Sequence, residues 1–69
     1  MVEVFKTNIV EVSHSETMVA RLLEYFPESR ISFDLEDCDK ILRVEGNQIC
    51  PVTVIKLLQE GGFDCFILE

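Results

Sequence analysis

From Ile31 to Val44 the chain alternates. Ile31, Phe33 and Leu35 and then Leu42 and Val44 are apolar, and Ser32, Asp34, Glu36 and Arg43 fall between or beside them. A period of two predicts strands with one buried and one solvated face. With Cys38 and Asp39 as the two turn residues, the segment closes as a β-hairpin in which Leu35 faces Leu42 and Phe33 faces Val44. Gly46-Asn47 ends its second strand.

Before the hairpin, Val2 to about Val10 is rich in Val, Phe, Thr and Ile, which predicts a strand. Ser13 followed by Glu16 matches a capping box and predicts a helix starting near His14, with Ser15 as a competing cap. Val19, Leu22, Leu23 and Phe26 then recur at helical spacing, and Pro27 closes the helix. After the hairpin, Pro51 suits a first helical position, where its missing N–H costs nothing. Val54, Ile55, Leu57 and Leu58 form the apolar side of that helix, and Gly61-Gly62 stops it. Phe63 to about Leu68 is the last strand, with Phe63, Cys65 and Ile67 on one side.

The resulting order is βαββαβ in a single domain, residues 1–69. Right-handed crossovers place both helices on one face of a four-stranded antiparallel sheet, the α+β ferredoxin-like sandwich. In that arrangement the loop after the first strand, the hairpin turn and the loop before the last strand share an end. His14 and Cys38 therefore lie at one end and Cys50 at the other.

Composition narrows the function. The 69 residues are 48% hydrophobic, enough for a core, although a domain this small buries only roughly 60% of its unfolded surface. A net charge of −7, from 6 Lys+Arg against 13 Asp+Glu, excludes nucleic acid as a partner, since phosphate recognition needs clustered cations and these are scattered. The acidity serves solubility, or it forms a docking surface for a protein partner with a basic surface or for cations. The amino terminus reads directly as a strand and the apolar runs are short. No leader and no membrane insertion are expected, and the default location is cytoplasmic. Cys38, Cys50 and Cys65 are odd in number and widely spaced, so neither a disulfide framework nor a local chelating pair is expected.

The helix Met18-Val-Ala-Arg-Leu-Leu23, the hairpin Phe33-Asp-Leu-Glu-Asp37 and the closing Leu57-Leu-Gln-Glu-Gly-Gly-Phe63 resemble the heavy-metal-associated domains of copper chaperones and metal-pumping ATPases. The likeness extends over nearly the whole chain. In that family a G-M-x-C-x-x-C motif at the first strand–helix junction supplies two thiolates for a soft cation such as Cu(I). Here the corresponding stretch is Asn8-Ile-Val-Glu-Val-Ser-His-Ser-Glu16. Ile9 can take the packing role of the methionine, and nothing replaces the cysteines. Glu11 and His14 fall nearest those positions, and carboxylate with imidazole is too hard a set for Cu(I). The chain is similar to a divergent branch that lacks the CxxC pair.

Two kinds of chemistry remain. Glu11, His14, Asp37, Cys38 and Asp39, with Glu16 nearby, could gather a Zn-type divalent ion, which takes imidazole, thiolate and carboxylate at about 2.0–2.3 Å. Equally, His14 is an ordinary first-turn residue and Asp37 and Asp39 ordinary turn residues. Cys50, before Pro51, sits where a helix dipole lowers a thiol pKa, and Cys65 alternates with core residues. Catalysis lacks a nucleophile for the lone His and a phosphate-binding loop. The expected function is a small non-catalytic interaction or adaptor domain that uses the acidic hairpin end or the open sheet face, with Val2 and Val4 as contacts. No cofactor is expected beyond a weakly held divalent ion. The alternatives are a metal-binding protein using His14 and Cys38 with carboxylates, and a small-molecule sensor domain.

Overall fold

The alternating and helical patterns settle into six elements. A computed structural model describes residues 1–68 as β1 (Val2–Thr7), α1 (Val12–Tyr25), β2 (Arg30–Asp34), β3 (Ile41–Glu45), α2 (Pro51–Glu60) and β4 (Cys65–Ile67). The strands form one antiparallel sheet in the order β2-β3-β1-β4, consistent with a ferredoxin-like fold. Phe5, Leu42, Val44 and Cys65 meet Met18 and Leu22 of α1 and Val54, Leu57 and Leu58 of α2 in one core. Among the described residues, no helix is long and apolar enough to cross a membrane.

The hairpin is present with the expected faces, but its register is slipped by two. Phe33 pairs with Leu42 and Ile31 with Val44, so Leu35 lies outside the ladder. A loop from Leu35 to Lys40 replaces the two-residue turn, because its side chains satisfy the backbone locally. Glu36 N–H donates to Asp34 Oδ1 at 3.2 Å and Asp39 N–H to Asp37 Oδ1 at 2.9 Å. Lys40 N–H donates to Asp37 O at 3.0 Å, and Lys40 Nζ reaches Leu35 O at 2.9 Å. Lys40 itself adopts φ 48°, left-handed backbone that an L residue occupies at a cost of about 1–2 kcal/mol. A slip of two leaves every side chain on its expected face.

Helix α1 starts earlier than the capping box predicts. Glu11 is the N-cap and makes no side-chain cap bond, while Ser13 lies within the first turn. The hydroxyls turn inward on the helix instead: Ser15 Oγ donates to Val12 O at 2.7 Å and Thr17 Oγ1 to Ser13 O at 3.0 Å. The apolar stripe is also rotated. Ser15, Met18 and Leu22 are buried, Val19 and Phe26 half-buried, and Leu23 is 37% exposed. Contact with α2 explains the rotation, since the Met18 thioether lies against Gly61, where a Cβ would approach Sδ to 3.1 Å.

Helix α2 follows the sequence closely, with Pro51 at its first position and Val54, Leu57 and Leu58 buried. Gly62 reverses the chain at φ 90°, and Phe63 N–H donates back to Leu58 O at 3.0 Å. The last strand is shorter than expected, Cys65–Ile67, because Asp64 N–H is taken by the Asn8 side chain at 2.9 Å.

Candidate functional site

Three loops meet at one end of the sheet. Thr7, at the end of β1, is buried and joins two of them. Its Oγ1 donates to Lys40 O at 2.6 Å and accepts from Ile9 N–H at 3.3 Å, and its own N–H donates to Asp39 O at 3.1 Å. Asn8 ties in the third loop, donating Nδ2 to Asp64 Oδ2 at 3.3 Å while accepting from Asp64 N–H. Lys6 faces Asp39 at 3.6 Å, an exposed pair of small energetic weight.

The candidate ligands separate within this end. Asp37, Cys38 and Asp39 bring one donor atom each within 4.8 Å of one another. Glu11 and His14 are outside that group. Glu11 caps α1, and the His14 ring lies 5.3 Å from the Phe63 ring, tilted by 50°. The grouped carboxylates already have partners, Asp37 the Asp39 N–H and Asp39 the Lys6 ammonium. Cys38 is exposed in the hairpin loop, Cys65 is buried beneath the sheet, and Cys50 lies near Met1 and Phe26 at the other end. The three thiols do not form the dithiolate that Cu(I) favours.

The thiols differ in chemistry. Cys50 caps α2, where the Thr53 hydroxyl and backbone N–H stabilise the thiolate and hold its pKa below the usual thiol range. Burial pushes the Cys65 thiol up to about 12, leaving it inert.

The sheet face away from the core carries a different kind of surface. Val2 and Val4 point there, as do Phe66, opposite Lys6, and Leu68, whose N–H donates to Val4 O at 2.9 Å. Phe66 is 58% exposed and Leu68 40%. Alternation in the last strand signals both, since residues flanking an inward Cys65 and Ile67 must face outward. Lys6 and Arg43 lie beside them, Arg43 in an exposed pair with Glu45 at 3.8 Å.

Comparison with protein-family models, curated proteins and solved structures found no match.

Proposed function

We propose that the chain is a small non-catalytic interaction domain: a βαββαβ ferredoxin-like sandwich with both helices on one sheet face, similar to heavy-metal-associated domains but without their thiolate pair. The observation that carries this reading is the open sheet face, where Val2, Phe66 and Leu68 are exposed and Val4 is half-buried, beside Lys6 and Arg43. A buried Phe contributes roughly 1.5–3 kcal/mol relative to an exposed one, so a partner covering Phe66 gains directly from it. The acidic hairpin end, with Asp34, Glu36, Asp37 and Asp39, would orient a partner with a basic surface. Three free thiols accord with a reducing, cytoplasmic setting.

A divalent-ion reading has one observation in its favour, the Asp37-Cys38-Asp39 cluster. A single experiment weighs the two. A photoreactive phenylalanine analogue at position 66 should cross-link one protein in the native host. That protein, purified, should bind the wild-type chain and lose about tenfold or more in affinity for Val4→Asp. Absence of any cross-link, or stoichiometric uptake of Zn²⁺ lost on His14→Ala or Cys38→Ser, would overturn the interaction reading.

A further inference from the structure

Strand β2 lies at the margin of the sheet, with no strand on its outer side among the described residues. Proteins that stay monomeric blunt such a margin with proline, a bulge, inward-pointing charges or a very short strand. β2 has none of these. It runs for five residues, Arg30-Ile31-Ser32-Phe33-Asp34, in regular register with β3, whereas the other margin, β4, has three. Its helix side is also incompletely covered. Ile31 and Phe33 are half-buried, while Leu42 and Val44 beside them are fully buried. With Met18 and Leu22 turned into the core, Val19, Ala20 and Leu23 of α1 line a groove with Phe33, whose one charged residue is Glu16.

The outward side of β2 identifies what covers this edge. Arg30, Ser32 and Asp34 are exposed in a row, a cation and an anion flanking a hydroxyl. On β3, Arg43 and Glu45 pair with each other at 3.8 Å, and neither Arg30 nor Asp34 is in an ion pair among the described residues. Such a row is complementary to its own reverse. An antiparallel two-fold centred on Ser32 sets Arg30 of each copy opposite Asp34 of the other, and Ile31 opposite Phe33 on the helix side. A centre at Ile31 or Phe33 sets Arg30 or Asp34 against Ser32 and loses the match. Net charge favours this approach over others. At −7 each, two copies repel over most of their surface, whereas this edge carries one cation and one anion.

We infer that the chain associates with a second copy of itself through β2, joining two four-stranded sheets across a two-fold axis at Ser32. The α1 surfaces carrying Val19, Ala20 and Leu23 then face each other across that axis. Five paired residues and the groove beside them are fewer than the roughly 20–30 a side of a stable complex, so the dimer forms and dissociates with concentration. The open sheet face stays uncovered, and its partner is a separate matter.

Sedimentation equilibrium from micromolar to millimolar chain measures the association, and amide spectra of the isotope-labelled chain locate it. Wild type should dimerise as concentration rises, with shifts centred on Arg30–Asp34. R30D and D34R each set like charges opposite one another across the axis, and each should weaken dimerisation about tenfold or more. Mixing the two variants restores both opposite-charge pairs, so the mixture should regain wild-type affinity, as should the double variant R30D/D34R. Both positions are exposed, and a dispersed amide spectrum checks that each variant is folded. A chain that stays monomeric at millimolar concentration overturns the inference. So do single variants that dimerise as well as wild type, or a mixture that binds no tighter than its components. Concentration-dependent shifts confined to Val4, Phe66 and Leu68 overturn it as well, while leaving the open-face reading intact.

Discussion

Replacing Thr7 with Val should loosen the loop end without changing the shape of the side chain. The hydroxyl is buried, donates to Lys40 O at 2.6 Å and accepts from Ile9 N–H at 3.3 Å. Val occupies the same volume, so no cavity forms, but a carbonyl and an N–H lose their partner. A buried group left unpaired costs about 1–3 kcal/mol. The longer bond to Ile9 and the partial exposure of Lys40 put both groups toward the low end, giving a total of about 2 kcal/mol. For 69 residues at 0.05–0.15 kcal/mol each, the whole stability is roughly 3–10 kcal/mol, so the loss is a substantial share of it. In a domain of this size it corresponds to a fall in Tm of roughly 10 °C. Thermal and urea unfolding of wild type, Thr7→Val and Thr7→Ser provide the assay. Ser keeps the hydroxyl and loses one methyl, worth about 0.8 kcal/mol, so it should lie between the other two. If Thr7→Val matches wild type, or exceeds Thr7→Ser, the hydroxyl is not what joins these loops.

Two further outcomes follow from the thiols. Cys50 should be alkylated by iodoacetamide well before Cys65 in the folded protein, and Thr53→Val should slow Cys50 by removing the hydroxyl that favours its thiolate; peptide mass spectrometry reads both, and an unchanged Cys50 rate would contradict the role of Thr53. Cys65 should make stability fall as pH rises from about 9.0 to about 12: its folded pKa is raised, so its contribution is complete below the unfolded value and lost through the folded one. The slope cannot exceed about 1.4 kcal/mol per pH unit, and it should be absent in Cys65→Ala by urea unfolding across that window.

The order of elements was legible from residue pattern alone. Alternation at Ile31, Phe33, Leu42 and Val44 and the helical recurrence of Val54, Leu57 and Leu58 reflect burial on one face, which each segment encodes for itself. Pro51 and Gly62 marked the limits of α2 for the same reason, since their backbone restrictions are local. The exchange of partners between segments was not legible. The hairpin register depended on Asp34, Asp37 and Lys40 closing a longer loop, and a slip of two residues leaves the hydrophobic pattern unchanged. The rotation of α1 depended on Met18 meeting Gly61, a contact between residues distant in sequence, and it left Leu23 exposed on the side of Phe33. Likewise, Asp37, Cys38 and Asp39 were bound to be neighbours, whereas only the folded chain decided that the His14 ring lies tilted beside Phe63, outside their group. Local periodicity records which face a segment buries; which neighbour it buries that face against is a property of the assembled layers.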